Sequence, residues 1–466
     1  MNEIEQNIIN LFQNFFHEKV IKIFLLPQSG SYRKYYRIIG EKNKVIATFN
    51  ENIAENRAFI YLSQHFSEKK FNVPKIYAVS QDEKYYLQSD LGDIHLYNKQ
   101  NETEVENLYK RIIQDLIKFQ FEGIKNLEIK YLYGAKIFDY KQIWRDLNYF
   151  KYFVVKLSKI NFNEIKLDQE FEKITQIAEN TPRNFFMYRD FQSANILMYN
   201  RQPYYIDYQG GMKGAFYYDL ASLLFDFKVN LSNEFIEKLK KYYLLQLEQF
   251  HSVNKTEFDE LFRLFTTIRI LQAFAAYAFR GIVEKKMRFI NNITKLKKNI
   301  NTWLKKNFIT KEFPELLKTL YKLTQTSTLI PQIDYPKLTI EINSFSYLYD
   351  GYPENYEGNG GGFVFDCRFL PNPGRIPEYK NLTGLDEPIA KYLSALPEFE
   401  KFMGNTLEII LEALQGYKIK NYNHLQINFG CTGGQHRSVF CAEYFAKLIK
   451  KFFNGKIIIN HKILKK

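Results

Sequence analysis

The chain has 466 residues, 45% hydrophobic and 17% aromatic, ample for buried cores in about two to four domains. Three cysteines, Cys367, Cys431 and Cys441, exclude a disulfide framework and predict a reducing, cytoplasmic setting. The formal charge is +14, concentrated at residues 261–322, where fourteen Lys or Arg stand against three acids; residues 337–466 carry sixteen against thirteen, only +3.

The N-terminal MNEIEQN is acidic and polar, unlike a signal peptide. Phe12, Phe15, Phe16 and Val20 lie at helical spacing and predict a first helix. Runs at 35–39 and 45–49, joined by a turn at 40–43, predict a hairpin. A helix over 55–66 follows, then strands near 75–79 and 85–88. Residues 91–322 read as mostly helical, apart from the segment at 188–209. A small β-rich lobe before a larger α-rich lobe is the two-lobe plan of protein-kinase-like enzymes. Residues 261–279, interrupted by Arg263 and Arg269, read as a buried helix and not as a membrane span. The basic run beyond it includes Lys285, Lys286, Arg288, Lys295, Lys297, Lys298, Lys305 and Lys306. It reads as a solvated helical face, with attraction of phosphates or nucleic acid as the alternative.

Residues 323–336 (LTQTSTLIPQIDYP) are the linker candidate. Strands at 338–342 and 362–366 then bracket a loop rich in tyrosine and glycine. A helix over 402–414, a strand at 425–429, a glycine loop, a helix over 438–452 and a strand at 456–460 complete the chain. The predicted class is an α+β kinase-like two-lobe domain at 1–322 (lobes about 1–90 and 91–322), followed by a smaller α/β domain at 337–466.

The segment YRDFQSANILMYNRQPYYIDYQ, residues 188–209, carries the chemistry. It spaces Asp190, Asn195 and Asp207 around an apolar run, a turn and a short strand. Phosphoryl transfer needs a carboxylate to orient the attacking hydroxyl and oxygen ligands for a magnesium ion beside the nucleotide phosphates. Asp190 is the candidate base; Asn195 and Asp207 are the candidate metal ligands. A loop Asp and Asn that merely cap local backbone are the plainer alternative. Asp219, just ahead of an apolar run, reads as a helix N-cap.

Together YRDFQSANILM, YYIDYQGG and YYDLASLLFD resemble the aminoglycoside phosphotransferase-like kinases. They are closest to the branch that phosphorylates N-acetylmuramate and N-acetylglucosamine at the anomeric hydroxyl. The resemblance covers residues 20–310 and implies ATP and Mg2+. It assigns Asp190 as base, Asn195 and Asp207 as metal ligands, and Asp219 as the acid bracing the catalytic loop. Glu55 matches the helix acid that normally pairs with a strand lysine. There are departures. The loop LPQSGSYRKYYRI has one glycine, Gly30, between Ser29 and Ser31. The strand VIATFNEN has no lysine; Thr48 or Asn50 stands in that region. Arg33, Lys34 and Arg37 are candidate phosphate contacts instead, with surface charge on a hairpin as the alternative. Gln88 and Asp90 fall where the adenine hinge belongs. Tyr188 replaces a structural His.

The loop FGCTGGQHRS, residues 429–438, leaves a strand and opens a helix. Its glycines can turn N–H groups inward, and the helix N-terminus favours an anion. Arg437 can hold phosphate with two parallel bonds. Cys431 and Arg437 also stand in the Cys-x5-Arg spacing of cysteine phosphatases. However, FDCRFLPNP, TGLDEPIAKYL and GCTGGQHRS closely resemble the RapZ C-terminal domain over residues 337–466. In that family the domain binds glucosamine-6-phosphate and regulatory RNA, and mediates oligomerisation. The resemblance implies a phosphate loop of Thr432, Gly433, Gly434, Gln435, His436, Arg437 and Ser438, with Cys431, Asp366, Arg368, Asn372 and Asp386 at the same site. His461 reads as a surface or partly packed side chain.

The sequence thus points to an ATP-dependent, magnesium-using amino-sugar kinase fused to a sugar-phosphate-sensing domain, cytoplasmic and without a membrane partner. A catalytically reduced adaptor for RNA or a protein is the rival. A drug-modifying aminoglycoside kinase is the third reading; the +11 stretch in the substrate-binding lobe speaks against a polycationic substrate.

Overall fold

The computed structural model describes residues 3–26, 33–99, 104–306, 308–326, 332–354 and 362–464. The chain forms two compact units. Of the described residues, the first holds 3–26, 33–279 and those from Asn291 through the helix ending at Gln325; the second holds Arg280–Ile290, 332–354 and 362–464.

In the first unit, helix α1 (Glu3–Phe16) precedes a five-stranded antiparallel sheet. Its strands are β1 (Val20–Leu25), β2 (Lys34–Gly40), β3 (Lys44–Phe49) and, after helix α2 (Ile53–Glu68), β4 (Ile76–Val79) and β5 (Tyr85–Ser89), in the order β1-β2-β3-β5-β4. The expected hairpin is present, with Ile38 opposite Val45 and Tyr35 opposite Thr48. Val20 does not continue the helix: His17 turns the chain out at φ 55°, and Val20 opens β1. Strand alternation then sorts the side chains by face. Tyr36, Ile38, Val45, Ala47, Tyr85 and Leu87 pack with Ile8 and Phe12 of α1. Tyr35, Arg37, Ile46, Thr48, Tyr86 and Gln88 share the other face, where Phe59 of α2 meets Tyr86 at 5.4 Å.

The rest of this unit is mainly helical: α3 (Val105–Phe121), α4 (Tyr140–Phe150), α5 (Glu164–Asn180), α6 (Tyr217–Leu224), α7 (Asn233–Leu247), α8 (Lys255–Ala278), α9 (Met287–Lys305) and α10 (Pro314–Gln325). Two short antiparallel pairs interrupt the helices between α5 and α6. One joins β6 (Phe185–Met187) to β9 (Met212–Gly214), the other β7 (Ile196–Tyr199) to β8 (Gln202–Tyr205). Beneath them Phe66, Phe119, Tyr188, Tyr205 and Tyr208 pack edge to face at 5.0–5.9 Å, a geometry that suits the aromatic quadrupole. Most of α8 is buried, as its apolar run predicts. Among the described residues, no helix is long and apolar enough to cross a membrane. The basic run is not uniformly solvated: Lys297 is buried and donates to the Thr326 carbonyl, and Lys285 contacts Glu408 within the second unit. Burial lowers the Lys297 pKa from its ordinary value.

The second unit is a four-stranded parallel sheet of β10 (Ile333–Ser346), β11 (Gly362–Asp366), β12 (His424–Cys431) and β13 (Phe453–His461), ordered β11-β12-β10-β13. Its helices are α11 (Glu387–Ser394), α12 (Pro397–Ile419) and α13 (Arg437–Ile449); α11 was not expected from the pattern. The segment 323–336 includes the end of α10 and the start of β10. Ile340, Ile342, Leu425, Ile427 and Phe429 form one core with Leu407, Ile410, Phe440 and Phe445 of the helices. The opposite sheet face is polar yet buried: Asn343 donates to Asn428 at 2.9 Å, and Gln426 to Asn428 at 3.1 Å. The glycine loop emerges at the carboxyl end of β12, where parallel sheets commonly bind ligands.

Candidate functional site

Asp190 and Asn195 lie on the loop that leaves β6, and Asp207 lies just past β8. The β7–β8 hairpin brings Asp207 back to Asn195, because the Ile206 N–H donates to the Asn195 carbonyl at 3.0 Å. Asn195 Nδ2 donates to the Asp190 carbonyl at 2.9 Å and lies 3.5 Å from Asp207 Oδ2. That bond fixes the amide, leaving its oxygen as the ligand atom. One Asn oxygen and one Asp form the sparse shell that Mg2+ accepts when phosphates and water complete it. The described residues hold no cluster of three His, Cys, Asp or Glu for a metal. Arg189 and Asp207 sit at φ 82° and 70°. Such left-handed conformations cost a non-glycine residue about 1–3 kcal/mol each and persist where surroundings enforce them.

Two buried carboxylates, Asp219 and Asp226, hold the loop that carries Asp190. Asp219 accepts the N–H groups of Tyr188 at 2.6 Å and Arg189 at 2.9 Å. It is the third residue of α6 and not its N-cap, which corrects the capping expectation. Burial pushes its carboxyl up to about 7, against the pull of those two bonds. Asp226 accepts the N–H and hydroxyl of Ser193 at 2.9 and 2.5 Å. Sequence reasoning missed it, although it ends YYDLASLLFD seven residues, two helical turns, after Asp219. Tyr188, in place of a histidine, donates its hydroxyl to the Ile206 carbonyl at 2.6 Å and so ties the Asp190 loop to the segment that carries Asp207.

Asp190 itself is half-exposed, and its nearest cation is Arg269 of α8 at 3.6 Å. Arg269 is in turn held by Ser222 at 2.9 Å. Behind Arg269 a small buried cavity of about 10 Å³ is lined by Phe225, Phe227, Trp303 and Asp226, whose carboxylate is engaged by Ser193 and the Lys228 N–H.

Arg33 resolves the missing partner of Glu55. Its guanidinium is 4% exposed and reaches Asp207 at 2.7 Å and Glu55 at 3.4 Å. Asn50 adds a bond to Glu55 at 3.0 Å. Ser29, Gly30 and Ser31 lie outside the described residues. Gln88 donates to Thr48 at 3.1 Å on the same sheet face. The Asp90 carboxylate is closed in by Arg37, Lys44 and the Gly92 N–H at 2.7, 3.0 and 2.9 Å, so a hinge role there would rest on backbone groups. Arg37 also binds Asp93 at 2.7 Å, so it is spent in this cluster. Lys34 opposes Phe49 and alternates away from the Arg33 face.

In the second unit the three expected segments converge. Gln435 donates to the Leu382 carbonyl at 2.7 Å, and the His436 ring meets the Tyr379 carbonyl at 3.0 Å. Asn372 caps the Gly374 N–H at 3.2 Å beside that ring. Asp386 accepts the N–H and hydroxyl of Thr383 at 2.7 and 2.9 Å. The Thr432 carbonyl receives Ser346 at 2.6 Å. Gly434 holds φ 69°, and a Cβ there would meet Ile463 at 2.5 Å. Gly433 has open space in front of it. Arg437 is not the free fork its spacing suggested. Its Nη1 donates to the carbonyls of Arg368 and Leu370 at 2.8 and 2.9 Å, pinning the 368–370 turn. Asp366 and Arg368 pair on the surface at 2.6 Å, with Arg368 over the Tyr347 ring at 4.1 Å. Cys431 is buried and faces the Ser438 hydroxyl at 3.1 Å. A phosphatase nucleophile would need exposure. Cys431→Ser should therefore leave binding of inorganic phosphate within about twofold, read by calorimetry; abolition of a phosphatase activity by that change would revive the nucleophile reading. His461 is partly buried between Ser344 at 2.8 Å and Glu443 at 3.2 Å.

Residues 25–253 match the model of the phosphotransferase enzyme family, and residues 338–465 match that of the RapZ C-terminal domain. Among curated relatives, a nucleotide-binding protein of Aeromonas hydrophila is 39% identical over 130 residues, 28% of this chain and 43% of that protein. One of Lactiplantibacillus plantarum is 39% identical over 127 residues, 27% of this chain and 40% of the relative. The chain thus spans less than half the length of these relatives. Among solved structures, the choline kinase LicA from Streptococcus pneumoniae is 13% identical with a TM-score of 0.46, covering 65% of this chain and 100% of that one. The chain is an aminoglycoside-phosphotransferase-like, kinase-like domain fused to a RapZ C-terminal-like domain.

Proposed function

We propose that the N-terminal domain is a magnesium-dependent kinase that transfers the γ-phosphoryl group of ATP to a cell-wall-type amino sugar of the N-acetylmuramate or N-acetylglucosamine class, at the anomeric hydroxyl. The observation that carries this reading is the convergence of Asp190, Asn195 and Asp207 on a loop clamped by Asp219 and Asp226. Asp190 takes the hydroxyl proton as that oxygen bonds to the γ-phosphorus; the bond to the bridging oxygen breaks, and ADP leaves. Asn195 and Asp207 would hold Mg2+, which would supply charge neutralisation at the phosphates. Positioning and charge neutralisation account for most catalysis of this kind. The loop of Gly433 and Gly434 at the start of α13 is the site at which the C-terminal domain would bind a sugar phosphate, through backbone N–H groups.

The deciding experiment incubates the full chain with ATP, Mg2+ and a panel of amino sugars, and follows product by mass spectrometry. A sugar phosphate made by the wild type and not by Asp190→Asn supports the proposal. No product from any sugar, with no nucleotide bound, would favour an adaptor acting through RNA or a protein.

A further inference from the structure

The strand that should carry the phosphate-contacting lysine has none, yet the cation it would supply is in place. We propose that Arg33, at the entrance to β2, is the residue that contacts the nucleotide phosphates, a role moved from β3 to the neighbouring strand. The proposal rests on the reading of this site as a phosphoryl-transfer centre.

The register shows how the move works. Lys34 opposes Phe49 and Tyr35 opposes Thr48. Arg33 therefore enters beside Asn50, and alternation turns it to the face that Tyr35, Thr48 and Tyr86 share. Thr48 is fully buried on that face and accepts from Gln88. Its side chain is too short to reach Glu55 or Asp207, whereas the long guanidinium from the adjacent strand reaches both. Arg33 thus makes one of the links that a strand lysine makes in a kinase, the contact to the acid of α2, and adds a contact to Asp207.

The remaining valences point to a ligand. Both ion contacts use Nη2. The Nε is buried and has no hydrogen-bond partner among the described residues. Leaving a buried charged donor unmade is costly, and a phosphate oxygen is the acceptor that a guanidinium fork matches.

The test compares ATP with adenosine, which has the base and ribose but no phosphate. Affinities of the full chain for each are measured by calorimetry with Mg2+ present, for wild type, Arg33→Gln and Arg33→Lys. Arg33→Gln is expected to weaken ATP binding tenfold or more and leave adenosine within twofold. Arg33→Lys is expected to recover at least a third of the loss on a logarithmic scale. Equal changes for both ligands, or none for either, would overturn the proposal and leave Arg33 as a pin. Where Arg33→Gln does not fold by circular dichroism, the ratio of ATP to adenosine affinity in Arg33→Lys decides by the same rule: a selective loss of threefold or more supports, an unchanged ratio overturns. A wild type that binds neither ligand would bring down the phosphoryl-transfer reading itself, and this inference with it.

Discussion

Asp190→Asn is expected to lower kcat for sugar phosphorylation by about 10²–10⁴-fold, the usual worth of a positioned general base. The melting curve should barely move. Asp190 is half-exposed, and its one ion contact, to Arg269, is a long 3.6 Å. The bond from Asn195 goes to the Asp190 main-chain carbonyl, which the substitution leaves in place. Nucleotide affinity should also hold, since Asn195 and Asp207 are untouched. Retention of a tenth or more of wild-type turnover in a coupled ADP-release assay would remove Asp190 from the base role.

Asp219→Ala is expected to act on stability and turnover together. It strands the N–H groups of Tyr188 and Arg189, both held by this carboxylate in the core. A buried donor left without its partner costs about 1–3 kcal/mol, so denaturant unfolding should show a loss of about 2–5 kcal/mol in the first domain. The loop that loses its clamp holds Arg189 at φ 82°, and relaxation there would displace Asp190 beside it. A pH series adds an independent check. The Asp219 carboxyl titrates near 3.8 in an unfolded chain and is pushed up to about 7 in the fold, chiefly by burial. The folded protein therefore holds this proton more tightly. The associated stability is complete below about pH 4 and fades as pH rises to 7. Asp219→Asn cannot ionise, so its cost relative to wild type should be larger at pH 5 than at pH 8. A cost independent of pH would mean that Asp219 stays ionised throughout.

Much of the fold was legible in the sequence. The 35–39 and 45–49 runs, joined by the turn at 40–43, became β2 and β3. The buried helix at 261–279 followed from its apolar length, and the glycine loop and α13 from their order. Strand β1 was hidden because Val20 happens to continue a helical spacing that His17 breaks. Helix α11 was hidden because eight residues beginning Glu-Pro give too short a period to register.

At the site, the sequence by itself determined the spacing of Asp190, Asn195 and Asp207, because one hairpin closes that geometry locally. It also determined that two unlike domains follow one another. Only the tertiary structure decided which charges are free. Arg33 finds Asp207 at a separation of 174 residues. Asp226 reaches back 33 residues to Ser193. Arg37 closes on Asp90, and Arg437 turns to two carbonyls of a distant turn. A charged side chain in water carries no information about its partner. Burial supplies it, since a desolvated charge must be paired, and the fold alone sets which partner lies within reach.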